Sequence, residues 1–180
     1  INMQQLKNYI FVHGTYRSKD RYVPMGQGKG WMTWAKGELE RDGLTALTPD
    51  MPTPWEPTYS AWKNFFATLP VHENSTLVGH SAGGAFVVRW LGDTKTKIKK
   101  LILVSPGKTV SGDGPTHNAD LYDFIVDSDV RNLAEEIVLF TSDAEPLYRQ
   151  TNIQIYKDIL RVEPTVIPNH GHFTYTDMGT

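Results

Sequence analysis

Short apolar runs rich in branched or aromatic side chains recur along the chain at residues 9–12, 45–47, 76–78, 101–104, 137–140 and 165–167. The runs are continuous rather than alternating, which predicts strands buried on both faces. Between them, residues 31–41, 59–69, 84–91 and 147–160 have helical length, and the last carries Ile153, Ile155, Ile159 and Leu160 as an approximate apolar stripe. Strand and helix thus alternate from end to end. Because parallel crossovers are long and right-handed, the alternation predicts an α/β fold of three layers, a mostly parallel sheet of about six strands with helices on both faces. No internal repeat is present.

Two stretches interrupt the rhythm. Residues 17–30 hold several charges and the run Gly26-Gln27-Gly28-Lys29-Gly30, which predicts an exposed loop after the first strand. It is only loosely like a phosphate loop, since no Gly-Lys-Ser/Thr follows. Residues 105–116 are rich in Gly, Pro and Ser and run into 118–130, with Tyr122 and Phe124. An α/β fold carries functional loops after its strands, so a short lid-like segment is expected over residues 105–130.

Composition narrows the classes. The 180 residues suit a single domain, 1–180. With 39% hydrophobic and 21% charged residues and a formal charge of −2, nothing points to a polyanion, so no nucleic-acid partner is expected. The absence of cysteine excludes disulfides, thiolate metal sites and a cysteine nucleophile, and fits a cytoplasmic location. No apolar run is long enough for a membrane span, and none is expected.

The chemistry is carried by Gly79-His80-Ser81-Ala82-Gly83, which fits G-x-S-x-G with a strand-like run before it and a helix-like segment after it. A serine on such a sharp turn needs glycines two residues away on either side, where side chains would collide. The turn lifts the Ser81 hydroxyl clear of the sheet and aims the Ala82 amide at a developing oxyanion. The motif then requires an acid and a histidine downstream, in that order. Asn169-His170-Gly171-His172-Phe173 follows the last predicted strand, with His172 the expected base and His170 a loop residue. His-x-His is also a metal-ligand spacing, but no carboxylate set accompanies it and no metal is expected. The acid should follow the run 137–140, where Asp143 and Glu145 are both available. His13-Gly14-Thr15 follows the first strand and offers the second oxyanion donor, the Thr15 amide, with His13 holding the loop by hydrogen bonds. Of the aromatic residues, Trp31, Trp34, Tyr59 and Trp62 are expected mostly in the core. Trp55 in the proline-rich loop 52–57 and Tyr16 are the candidates for substrate contact.

Together these residues resemble the small serine hydrolases related to retinoblastoma-binding protein 9 and YdeN, a compact branch of the α/β-hydrolase fold. The likeness runs through Phe11-Val12-His13-Gly14, Trp31 and Trp34, Asp50-Met51-Pro52-Thr53-Pro54, Trp62, the serine motif with Gly84, Leu103-Val104-Ser105 and Gly171-His172-Phe173. Met-Pro-x-Pro followed by a tryptophan is the most specific part. The resemblance implies hydrolysis of a small-molecule ester or related acyl substrate by Ser81 and His172, without a cofactor. Its acid segment reads Ser-x-Asp-Asp-Pro, so Ser142 and Pro146 set the register and put the family's catalytic aspartate on Glu145, with Asp143 the alternative. The family also continues into a final helix, which is expected to be missing from this sequence. Because the acid departs from the pattern, a rival is a hydrolase-fold protein of weak or no activity that binds a protein partner. A second rival is a metal-dependent hydrolase using His170 and His172.

Overall fold

The computed structural model describes residues 7–28, 30–109 and 118–178. Within them six strands form one sheet: β1 (Asn8–Val12), β2 (Thr45–Leu47), β3 (Ser75–His80), β4 (Ile98–Val104), β5 (Ala134–Thr141) and β6 (Pro164–Val166). Their order is β2-β1-β3-β4-β5-β6 and every pairing is parallel. The chain leaves β1 toward one edge and returns to the other side of it at β3. That reversal opens a crevice beyond the carboxyl ends of β1 and β3, where α/β sheets carry their ligands.

Helices α1 (Trp31–Arg41), α2 (Tyr59–Phe66), α3 (Ala82–Thr94) and α5 (Leu147–Leu160) are joined by the single turns α4 (Ala119–Tyr122) and α6 (Tyr175–Met178). Successive strand residues point to opposite faces, and the two faces are covered unequally. Ile10, Val12, Leu77, Leu101, Leu103 and Leu139 join α2, α3 and α5 in the main core, where Trp62, Phe66, Phe86 and Tyr156 are fully enclosed. On the other face Phe11 and Val78 pack with Met25, Ala46 and Met32 of α1. Beside α1 an apolar groove of about 520 Å³ remains, lined by Trp34, Ile102, Phe140, Ile167 and Phe173 among others. Trp34, expected in the core, is 65% exposed there.

One further expectation changes and another gains an anchor point. The strands at the β6 edge are not buried on both faces: Glu135 and Glu136 of β5 and Thr165 and Val166 of β6 are exposed. The stretch after β1 is mostly exposed, with Arg17, Lys19, Asp20, Arg21, Gly26 and Gln27 at the surface, and it is pinned at Met25, which is buried and whose amide donates to Asp50 Oδ1 at 2.7 Å. Of the lid-like segment, residues 110–117 lie outside the described residues. No described helix is long and apolar enough to cross a membrane.

Candidate active site

β3 ends at His80 and α3 begins at Ala82, so Ser81 alone makes the turn, with φ +54° and ψ −122°. Such a conformation costs a non-glycine residue about 1–3 kcal/mol and persists only where its surroundings hold it. The Ser81 amide donates to the Val104 carbonyl at 3.0 Å, and its carbonyl accepts from Gly84 at 3.0 Å and Gly107 at 2.9 Å. The flanking glycines are required by contact. A Cβ on Gly79 would lie 2.6 Å from Gly84 Cα, and one on Gly83 would lie 2.1 Å from the Val12 carbonyl oxygen.

The loop after β6 returns across the carboxyl edge of the sheet and brings His172 to the serine. Nε2 stands 2.9 Å from Ser81 Oγ, and Nδ1 stands 2.8 Å from Glu145 Oε1. A carboxylate only accepts, so Nδ1 carries the proton and Nε2 is left to accept the serine O–H. Glu145 is buried; among the described residues its Oε2 finds no hydrogen-bond partner, and Arg149 Nε at 3.6 Å supplies an opposing charge. The alternative acid is engaged elsewhere: Asp143 Oδ1 accepts the Asn169 amide at 2.8 Å. The His170 ring also turns away, with Nδ1 donating to the Pro168 carbonyl at 2.7 Å and the ring stacked on Phe173.

The loop after β1 closes the other side. A Cβ on Gly14 would lie 3.1 Å from Ser81 Cβ, which puts residues 13–15 against the serine. Among the described residues, neither the Thr15 nor the Ala82 amide has a backbone acceptor, whereas Tyr16 donates its amide to the Pro54 carbonyl at 2.9 Å. Buried His13 fixes the loop, donating from Nδ1 to the Gly14 carbonyl at 2.6 Å and accepting the Met51 amide on Nε2 at 3.0 Å. Burial pushes its pKa below the ordinary histidine value, consistent with a neutral clamp. Asp50 binds the Met25 amide and the Tyr22 hydroxyl, and Trp62 Nε1 donates to the Pro52 carbonyl at 2.8 Å. The Asp50-Met51-Pro52 stretch is therefore the buttress of the candidate oxyanion loop.

Ser81 and His172 open into a cavity of about 840 Å³, with Tyr16, Trp31, Tyr122 and Asn152 among its walls. The flanks of the lid-like segment, Ser105, Gly107, Thr109 and Asn118, line it as well. Trp55 does not: its ring packs on Tyr22 at 5.5 Å under Lys19, outside this cavity. The proline-rich loop faces the buttress, so its carbonyls rather than its tryptophan serve the site.

Two further residues touch His172. His80 Nε2 donates to the His172 carbonyl at 2.7 Å, and Asp177 Oδ2 accepts the His172 amide at 3.0 Å. Asp177 was detectable, since Thr174-x-x-Asp177 is a helix-capping pattern, and it also accepts the Thr174 amide at 3.0 Å and hydroxyl at 2.7 Å. These bonds, the Thr174 ones first, hold its pKa below the usual carboxylate value. His80 occupies the variable position of the serine motif, which carries no signal of its own.

A parallel sheet with a strained serine between its central strand and the following helix defines the α/β-hydrolase class of fold. The chain belongs to the serine hydrolase family, whose model it matches over residues 11–178. It is 29% identical to YdeN of Bacillus subtilis (strain 168) over 103 residues, 55% of this chain and 50% of YdeN, so the chain spans about half the length of that curated relative in the match. Against the crystal structure of the ydeN gene product the TM-score is 0.76 at 21% identity, covering 94% of this chain and 88% of that one. Est1E from Butyrivibrio proteoclasticus, solved with ferulic acid bound, gives 0.60 at 18% identity, covering 96% and 84%. The carboxylesterase CesB (YbfK) from Bacillus subtilis gives 0.56 at 13%, covering 94% and 78%. At these identities the structural likeness is one of fold.

Proposed function

We propose that this protein hydrolyses a small ester or related acyl substrate through Ser81, His172 and Glu145. The observation that carries the reading is the continuous chain of contacts from Glu145 Oε1 to His172 Nδ1 at 2.8 Å and from His172 Nε2 to Ser81 Oγ at 2.9 Å. In the first half-reaction the Ser81 proton passes to Nε2 as Oγ bonds to the substrate carbonyl carbon. The amides of Thr15 and Ala82 stabilise the negative oxygen. The imidazolium, steadied by Glu145, then gives its proton to the leaving alcohol as the carbon–oxygen bond breaks. Water repeats the sequence on the acyl-enzyme, with His172 again the base, and frees the acid and the serine. The cavity volume is within the range of small-molecule sites, and its mixed lining suits short acyl esters.

Hydrolysis of p-nitrophenyl acetate tests this. Ser81→Ala or His172→Ala should each lower kcat by about 10⁶-fold, and the double variant should lose little more, because the pair acts as a unit. Losses that simply multiply would contradict the mechanism.

A further inference from the structure

We propose that His80, the residue before the serine, is a positioning residue that locks the base to the nucleophile by holding the backbone carbonyl of His172. The inference rests on Ser81 and His172 being nucleophile and base. A carbonyl oxygen only accepts, so the 2.7 Å contact requires the proton on His80 Nε2. His80 is the last residue of β3 and is in register with Val104 of β4, so this donor stands on the sheet rather than on a loop. Ser81, one residue on, makes its turn directly off the end of this strand. The bond thus references the base to the strand that presents the nucleophile.

The segment held in this way would not keep its shape alone. Asn169, Gly171 and Phe173 all lie at positive φ, at +60°, +48° and +56°. Only glycine adopts such values freely. Residues 172–174 are fastened by backbone contacts to three different side chains: His80 holds the His172 carbonyl, Trp31 Nε1 donates to the Phe173 carbonyl at 3.1 Å, and Asp177 takes the amides of His172 and Thr174. His80 is the one member on the nucleophile's own strand. Its ring centroid lies 5.0 Å from that of His172, and Trp31 packs edge-on against it at 6.0 Å. At that distance a second cation would oppose the imidazolium that forms on His172. Burial first, and then the neighbouring His172 charge, bring the His80 pKa down to about 3, so the donor stays neutral.

Two substitutions separate the hydrogen bond from the ring. His80→Phe keeps an aromatic ring and removes the donor; His80→Gln removes the ring and keeps a donor of similar reach. With p-nitrophenyl acetate, His80→Phe should lower kcat by about 10²-fold with little change in KM, the size expected for a misplaced catalytic group. His80→Gln should recover most of that loss. His80→Phe turning over like the wild type, or His80→Gln as slow as His80→Phe, would overturn the proposal while an active wild type leaves the hydrolase reading intact. A wild type that neither hydrolyses esters nor reacts with a fluorophosphonate would remove that reading and this inference with it. Should His80→Phe fail to fold, the imidazole nitrogens of the wild type decide by NMR. The proposal expects His80 as the Nε2–H tautomer with no titration from about pH 5 to 8; an Nδ1–H tautomer, or titration in that window, would overturn it.

Discussion

Glu145 reaches His172 from a loop on which Asp143, two residues away, is already bound to the Asn169 amide. The two acids should therefore respond differently to neutralisation. Glu145→Gln is expected to lower kcat by about 10⁴-fold, the scale seen when a triad acid becomes an amide, whereas Asp143→Asn should cost less than about 10-fold because an amide oxygen still accepts from Asn169. Steady-state rates for both variants check the assignment. His80 adds a pH signature of its own. Its folded-state pKa is depressed to about 3, so from about 6.5 downward the unfolded chain binds a proton that the folded chain does not. Stability should fall as pH drops through that window, and His80→Gln should make the slope shallower by about one proton, as read from urea midpoints between pH 4 and 7. At this scale the sequence was informative where chemistry imposes a motif. Ser81 and His172 stand out by pattern, whereas the pattern leaves Asp143 and Glu145 both open and the family resemblance, through its register on Ser142 and Pro146, is what favours Glu145. The partner of His13 on Met51 and the partner of His80 on His172 are long-range contacts, 38 and 92 residues apart, that no local pattern encodes.

The elbow between β3 and α3 depends on close backbone approach rather than on propensity. Gly83→Ala would drive a Cβ to 2.1 Å from the Val12 carbonyl oxygen, so it should separate α3 from β1 and leave little folded protein, as monitored by thermal melting. Gly14→Ala is milder. Its Cβ would lie 3.1 Å from Ser81 Cβ, which asks for a shift of a few tenths of an ångström at the candidate oxyanion loop. Its expected signature is a kcat loss of about 10²-fold, comparable to losing one oxyanion donor, with a nearly unchanged melting temperature. His13→Ala should do both kinds of damage, because it strands the buried Met51 amide at about 1–3 kcal/mol and frees the Gly14 carbonyl. α1 and α5 run over the residues that the hydrophobic pattern marks, 31–41 and 147–160. Pattern succeeds over 147–160 because α5 buries Ile153, Tyr156 and Leu160 along one face, whereas α1, with Met32 its one buried residue, is marked by its length. It fails at α4 and α6, single turns whose existence depends on neighbours and caps.

The whole sheet explains where the site lies and why its two faces differ. Reversal of the strand order at β1, with β2 on one side of it and β3 on the other, brings the loops carrying Gly14 and Ser81 together, and the loop after β6 reaches back to them with His172. Continuous apolar runs made the α/β class legible, but they could not distinguish central from edge strands. Exposed Glu135, Glu136, Thr165 and Val166 mark the side where the covering thins. The groove around Trp34 lies on the face that α1 covers, over Ile102 and Phe140, and exposed apolar surface of this kind binds hydrophobic dyes. Trp34→Lys should reduce 8-anilinonaphthalene-1-sulfonate fluorescence while leaving ester hydrolysis unchanged, since Trp34 is not among the walls of the Ser81 cavity. The central claim, an activated serine at residue 81, is tested most directly by the intact mass of the protein after reaction with a fluorophosphonate. A single adduct is expected on the wild type, absent from Ser81→Ala and formed far more slowly by Glu145→Gln. A folded wild type that gains no adduct, or a Ser81→Ala variant that gains one at the same rate, would contradict it.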